Sequence, residues 1–269
     1  MKLKFATKSL GTIAALLVVT AVFSGAILAQ DGPETLVVTQ ANPRGWTAAA
    51  PGADTRTGGA VNFVPDSSSP APGAALQLTT TSATTAKAQY MHATNTLLSD
   101  VISLAYHTKQ NSASFAGGDA SFQVVVNLCG PTSGFTTLVY EPYQNGTVVP
   151  SEWQQWDVDA GQFWSSRSVT CGASVVAGGG GAPFYTLSNL QGSFPSAVVI
   201  GFGVNIGSNN PSYDVEVDLF KFNNTTYDFE IFSAPTTQDD CFKGGWSTFN
   251  PPSGPFKNQG QCVSSTVPQ

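Results

Sequence analysis

The sequence predicts an all-β protein, an antiparallel β-sandwich followed by a small C-terminal tail closed by a disulfide. From Glu34 to about Phe232 the chain is a series of short runs rich in Val, Ile, Thr and aromatic residues, interrupted by Gly, Pro, Ser and Asn. No stretch keeps the 3.6-residue period of a helix over several turns. Many short strands at this spacing are typical of a sandwich.

Eleven runs are predicted as strands, and their side-chain alternation indicates which face is buried. In the run over 121–128 every second residue is Phe, Val or Leu, while Gln123, Val125 and Asn127 occupy the other face. In the run over 197–206 both faces are apolar or small, which predicts a central, covered strand. The predicted strands cover residues 35–39, 60–64, 75–80, 86–93, 101–108, 121–128, 135–140, 153–158, 197–206, 213–222 and 226–232.

Between the strands, turns outnumber helices. Asn145-Gly146 is a two-residue signal for a type I′ hairpin, and Asn223-Asn224 predicts a turn between the last two strands. One or two helical turns are predicted over 185–191.

The N-terminus has the three parts of a signal peptide. Lys2, Lys4 and Lys8 precede an apolar run over 10–28, and small residues follow at the cleavage position. We expect cleavage after Ala29, so the predicted regions are a signal peptide (1–29), a sandwich (30–233) and a tail (234–269). A cut after residue 26 and an uncleaved membrane anchor remain alternatives.

Charge and composition exclude some partners. Without the leader lysines, eight basic residues would face seventeen acidic ones, a net charge of about −9. Such a chain repels phosphate backbones, which argues against nucleic acid and anionic lipid as partners. No second apolar run is long enough to span a membrane, so we expect a secreted, extracellular protein.

The four cysteines, an even number in an exported chain, predict two disulfides. Zinc sites use closer pairs, and here the nearest spacing is about twenty residues. Of three possible connectivities, pairing by neighbourhood is the simplest: Cys129–Cys171 and Cys241–Cys262. The second bond would close a tail around Trp246, Phe249 and Phe256.

The stretch over 153–166 holds three of the five tryptophans. Strand parity places Trp153 and Trp156 on opposite faces, with Trp156 in the core. Trp153 would then stand beside an amide and a carboxylate, a combination that suits a sugar: a flat apolar platform with hydrogen-bonding partners for hydroxyls. Packing within the sandwich is the alternative role for this indole. The predicted ligand-binding residues are Trp153, Gln155, Asp157, Trp164 and Tyr143.

An acidic row offers a catalytic alternative. Asp214, Glu216 and Asp218 lie on one face of a predicted strand, and glycan hydrolases of the retaining type use two carboxyls about 5 Å apart. The same pattern fits a half-buried strand with valines inside and acids in water.

The chain resembles uncharacterised bacterial secreted proteins that have a jelly-roll, carbohydrate-binding-module-like sandwich and a C-terminal two-Cys tail element. The resemblance implies the fold and the extracellular location, but no established activity. It rests on Trp153-Gln-Gln-Trp-Asp, Phe163-Trp-Ser-Ser, Gly203-Val-Asn-Ile-Gly, the closing strands over 217–229, and the tail pattern Cys-x-x-Gly-Gly-Trp.

Jelly-roll carbohydrate-binding modules often hold a structural Ca²⁺ near the chain ends, so the resemblance implies a structural calcium site. Asp218 is the implied ligand, with Glu34 as its partner. Calcium needs six to eight oxygens, so backbone carbonyls would complete the site. The alternative interpretation is that Asp218 and Glu34 are surface carboxylates at strand ends.

Three functions follow as hypotheses. The first is a secreted non-catalytic module that binds a glycan or cell-surface polymer. The second is a structural or adhesive surface protein that binds other proteins. The third is a glycan hydrolase that uses the acidic row.

Overall fold

The protein is a jelly-roll-type antiparallel β-sandwich, seen here in a computed structural model. The structure describes residues 32–40, 42–47, 54–231, 235, 237–247, 249 and 256–266. The predicted signal peptide, 1–29, lies outside the described residues. None of the helices in the described part of the chain has the length and apolar character needed to cross a bilayer.

Of the sixteen strands in the described residues, fourteen form two seven-stranded sheets. The first sheet contains β1 (Glu34–Val38), β3 (Gly59–Asp66), β4 (Gly73–Thr80), β6 (Leu104–Ser112), β9 (Gln154–Asp157), β15 (Asp214–Phe222) and β16 (Thr225–Phe229). The second contains β2 (Trp46–Thr47), β5 (Ala88–Leu97), β7 (Ser121–Asn127), β8 (Phe135–Tyr140), β10 (Gln162–Ser165), β13 (Tyr185–Thr186) and β14 (Val198–Ile206). The remaining two, β11 (Val169–Cys171) and β12 (Ser174–Val176), form a small hairpin.

In the first sheet β15 is the central strand, and it changes neighbours halfway. Its first half pairs with β4 and its second half with β16, while β6 runs along its other side. A bulge after Asp218, with Leu219 at φ +45°, marks the change. The Asp218 carboxylate stabilises this junction because it accepts backbone N–H groups from Leu219 (2.8 Å) and from Phe229 of β16 (3.1 Å). One pair departs from the antiparallel pattern: β1 runs parallel to β16.

The second sheet has the order β13-β10-β8-β7-β14-β5-β2. Strand β14 lies between β7 and β5, so the central position predicted for the run over 197–206 is confirmed. The alternation predicted in β7 is confirmed as well, because Phe122, Val124 and Val126 point into the core. Gln123 points to the outer face.

Aromatic rings join the two sheets. Phe122 of β7 stacks on Phe220 of β15 with 4.3 Å between centroids, and Phe202 of β14 stacks on Phe222 with 4.1 Å. Trp46 packs edge-on against Phe220 at 5.0 Å. Burying each of these side chains stabilises the sandwich by about 2–3 kcal/mol.

The helices are short. A helix over Leu187–Ser193 confirms the predicted helical turns; Thr186 caps it by accepting the Asn189 N–H at 3.2 Å. The prediction of a hairpin at Asn145-Gly146 is wrong. A single helical turn, Pro142–Asn145, takes its place, since Pro142 provides the fixed φ of a first helical residue and the Gly146 N–H donates to its carbonyl.

Both disulfides predicted by neighbourhood are present. Cys129–Cys171 ties the end of β7 to the β11–β12 hairpin. Cys241–Cys262 closes the tail, where Phe256 is buried against the disulfide and Trp246 packs on the outside. The tail is therefore a small separate core with a seven-residue helix, Gln259–Ser265.

Candidate functional site

A groove runs over the outer face of the second sheet. It consists of a cavity of about 520 Å³ that continues into one of about 360 Å³. Asp119, Glu141 and Trp164 line both cavities, so they mark the middle of the groove. We call this feature the sheet-two groove.

Amide side chains form the floor of the groove. In the strand register Asn205 of β14 lies opposite Gln89 of β5 on one side and opposite Ser121 of β7 on the other. The Gln89 amide N–H donates to the Gln123 carbonyl oxygen at 2.8 Å. These amides are almost completely covered, Gln89 being 1% exposed and Asn205 6%.

Two acceptors in this floor are unused. Among the described residues, Gln89 Oε1 and Asn205 Oδ1 are buried without a hydrogen-bond partner. A buried polar atom without a partner costs about 1–3 kcal/mol, so native proteins contain few of them. Two such atoms beside one groove indicate a place where hydroxyl or N–H donors of a ligand would be favoured.

Aromatic rings stand along the groove. Trp164 of β10 lies opposite Val139 of β8 and is half-buried. Beyond it, Phe115 and Tyr143 meet edge to face with centroids 5.4 Å apart, and both are nearly half exposed, at 45% and 46%. At the other end Phe135 is also exposed, with the Arg167 guanidinium 5.0 Å from its ring centre. The groove therefore combines a polar floor with apolar platforms.

Asp119 lies at the end of a hydrogen-bond chain that begins in the core. The indole N–H of Trp156 donates to the Thr108 hydroxyl at 2.8 Å, and that hydroxyl donates to Asp119 Oδ2 at 2.5 Å. The Ala120 N–H donates to the other oxygen at 2.7 Å. Burial raises the pKa of Asp119 to about 7, although both hydrogen bonds act to lower it.

Glu141 is the second carboxyl of the groove. Burial of its carboxyl raises its pKa to about 8; a hydrogen bond with the Trp164 side chain acts to lower this pKa, and the charge of Asp119 acts to raise it. The two carboxyls are therefore close enough for the charge of one to act on the other.

The predicted indole parity is confirmed, but Trp153 has protein partners. Trp156 is in the core, and Trp153 lies outside it, at the edge of the first sheet. The Trp153 indole N–H donates to Asp66 Oδ2 at 3.0 Å, and Lys109 Nζ lies 5.4 Å from the ring centre. Lys109 also pairs with Asp66 and with Glu216, the latter at 2.8 Å. One ring face and the N–H of this indole are thus already occupied.

The five predicted ligand-binding residues divide into two groups. Gln155 and Asp157 are exposed on the outer face of the first sheet, in the same strand as Trp156, and Trp153 lies just before that strand. Trp164 and Tyr143 lie together in the sheet-two groove, on the other sheet. The structure therefore does not bring Trp153 and Trp164 to one surface.

The acidic row lies on one face of β15, as predicted, and internal contacts engage all three of its members. Asp214 accepts the Gln77 amide at 2.9 Å, and Glu216 accepts the Asn111 amide at 2.8 Å. Asp218 binds backbone N–H groups at the strand junction. These contacts give the row a structural role.

The two residues of the implied calcium site are apart. Asp218 Oδ1 accepts the Phe229 N–H, whereas Glu34 is paired with Thr225, four residues earlier in the same strand, a distance of about 13 Å along β16. Glu34 is exposed and accepts the Thr225 hydroxyl at 3.1 Å. Within the described part of the chain, no three or more His, Cys, Asp or Glu side chains are grouped as a metal site would require.

Comparison with known proteins adds little to this description. No protein-family model matches the sequence, and no curated protein matches it. A solved family 11 carbohydrate-binding module from Clostridium thermocellum, in complex with a β-1,3-1,4-mixed-linked tetrasaccharide, is 14% identical, with a TM-score of 0.39 over 66% of this chain and 88% of the module. A β-1,2-glucanase from Parabacteroides distasonis is 10% identical, with a TM-score of 0.34 over 62% of this chain and 22% of the enzyme. Neither similarity identifies a ligand or an activity for this chain.

Proposed function

We propose that the protein is a secreted, non-catalytic glycan-binding module and that the sheet-two groove is its binding site. One observation carries this proposal. In the groove a cavity with a buried amide floor and two unpartnered acceptors, Gln89 Oε1 and Asn205 Oδ1, adjoins a cavity lined by exposed aromatic rings, and Trp164 lines both.

This combination matches the chemistry of a sugar ring. A pyranose has apolar C–H faces that pack on aromatic rings and hydroxyls at its edge that donate and accept hydrogen bonds. Trp164, Tyr143 and Phe115 offer the platforms. The floor amides offer the acceptors. Because both oxygens are covered, Gln89 and Asn205 would change rotamer on binding, and a sugar hydroxyl would then recover the hydrogen bonds that they lack.

At mildly acidic pH the groove carboxyls favour binding over hydrolysis. A pair of catalytic carboxyls works when one is protonated and the other ionised. Burial raises the pKa of both Asp119 and Glu141, to about 7 and about 8, so both are protonated in this pH range. The pair then lacks the ionised nucleophile or base that the reaction needs.

Export is proposed from the sequence and supported by the disulfides. The leader over 1–29 has the composition of a signal peptide, and disulfides persist in oxidising compartments outside the cytoplasm.

The test is a binding measurement with two matched tryptophan variants. The chain without residues 1–29 is titrated with a panel of soluble polysaccharides and oligosaccharides, by affinity electrophoresis and calorimetry. We expect Trp164→Ala to weaken binding at least tenfold, equivalent to about 1.4 kcal/mol. Trp153→Ala, which removes a half-buried indole from the other sheet, should leave the affinity unchanged.

Two outcomes would contradict the proposal. If no glycan in the panel binds, the adhesive alternative, in which the protein binds other proteins, takes precedence. If Trp153→Ala rather than Trp164→Ala abolishes binding, the site is on the first sheet. Release of reducing ends during the same incubations would contradict the non-catalytic part alone.

A further inference from the structure

The two groove carboxyls lie just beyond the paired ends of β7 and β8. Phe122 of β7 and Tyr140 of β8 form the last pair of that ladder, Glu141 follows Tyr140 directly, and Asp119 comes three residues before Phe122. Both residues line both cavities of the groove, and the charge of Asp119 acts on the Glu141 carboxyl. A small group in the groove could contact both carboxyls.

Neither carboxyl has a cation beside it. Among the described residues, every ion pair uses Asp54, Asp66 or Glu216 as the acid. The groove does have two cationic side chains at its margin, but Lys87 pairs with Asp54 at 3.4 Å, and Arg167 lies over Phe135.

The other titratable groups that act on the pair are phenols. Tyr106 and Tyr213 both have their pKa raised, chiefly by burial, with a further contribution from the charge of Asp119. The negative charge that Asp119 and Glu141 would carry on ionisation is therefore not compensated by the protein.

Building on the glycan-binding function proposed above, we propose that the groove selects sugars that carry a protonated amine, as in glucosamine polymers, and holds the ammonium between Asp119 and Glu141. An ammonium has three donors and a full positive charge, so it can bind both carboxylates and offset the cost of burying them. An N-acetyl group or a hydroxyl in its place supplies no charge. A uronic acid would be repelled.

The experiment compares three tetrasaccharides that differ at one position of each sugar: glucosamine, N-acetylglucosamine and glucose. Each is titrated calorimetrically at pH about 7, where an amine of this kind is largely protonated. We expect the glucosamine tetramer to bind at least tenfold more tightly than the other two. Its binding should also release protons from the carboxyls, seen as a heat that changes with the ionisation enthalpy of the buffer.

Two isosteric variants test the residues. Glu141→Gln and Asp119→Asn should each remove the preference for glucosamine, reducing it to less than threefold. Asp157→Asn, which removes an exposed carboxyl from the outer face of the first sheet, should retain the preference. That variant controls for attraction by the overall negative charge. Because a glutamine oxygen can still accept the hydrogen bond from the Trp164 side chain, Glu141→Gln remains informative if Asp119→Asn folds poorly.

The outcomes separate this inference from the proposed function. Equal or tighter binding of the N-acetyl or glucose tetramer, abolished by Trp164→Ala, would overturn the amine preference and leave glycan binding intact. A glucosamine preference that persists in Glu141→Gln and Asp119→Asn would also overturn it. Absence of binding to all three and to the polysaccharide panel would refute the proposed function itself.

Discussion

Replacing Asp119 with asparagine should flatten the pH dependence of the protein's stability. Burial raises the pKa of Asp119 from 3.8 to about 7 in the folded protein. The folded state therefore binds this proton more tightly than the unfolded state does. The stability that results is fully present below pH about 4 and is lost as the pH rises to about 7.

The structure sets the size of the effect. A difference of about 3 pKa units corresponds to about 4 kcal/mol, an upper bound because local rearrangement reduces such shifts. Asp119 is only 6% exposed, so solvent screens it little. Asparagine cannot titrate. Between pH about 4 and about 7 the free energy of unfolding of the variant should therefore fall less than that of the wild type, by up to about 4 kcal/mol. Loss of one hydrogen bond from Thr108 or Ala120 would cost about 1 kcal/mol at every pH and would not alter the slope.

The assay is urea unfolding followed by tryptophan fluorescence at pH values from about 4 to about 8. The free energy of unfolding is plotted against pH for the wild type, Asp119→Asn and the exposed control Asp157→Asn. The control reports the effect of removing one exposed carboxyl. Parallel curves for Asp119→Asn and the wild type would refute the claim that Asp119 is held protonated by burial.

Two further predictions concern stability. Lys109→Met should lower the free energy of unfolding, measured in urea, by about 2–3 kcal/mol, because it leaves Asp66 and Glu216 close together without a cation. An unchanged urea midpoint would mean that solvent screens this network. Replacing Cys129 and Cys171 with serine should lower the free energy of unfolding by about 4 kcal/mol, because the disulfide closes a loop of 42 residues; the comparison is made under non-reducing conditions. A loss below about 1 kcal/mol would indicate that the β11–β12 hairpin stays in place without the disulfide.

The sandwich could be predicted from the sequence because it depends on local patterns. Alternation in the run that became β7 identified Phe122 as core and Gln123 as outer, and parity alone placed Trp156 inside. These assignments need only the two-residue period of a strand. The hairpin prediction at Asn145-Gly146 was wrong because a helical turn begins at Pro142, outside the two residues on which that prediction rests.

The groove could not be predicted because its residues are far apart in the sequence. Gln89, Gln123 and Asn205 meet only through the pairing of β5, β14 and β7, which sequence periodicity does not specify. A partial signal existed: Gln123 lies opposite the apolar face of its strand, and Asn205 interrupts a run of apolar and small residues. Asp119 and Glu141 gave no signal, since each stands just beyond a strand end.

The placement of three indoles within twelve residues gives the protein an internal set of optical probes. Trp153 lies beside Lys109 at the edge of the first sheet, Trp156 is in the core, and Trp164 is in the groove. Emission wavelength follows the polarity around an indole, so the difference in emission between the wild type and each single phenylalanine variant would report that indole above the shared signal of the other four tryptophans. Trp164 would then respond to an occupant of the groove, Trp156 to loosening of the sandwich, and Trp153 to the charge network at the edge of the first sheet.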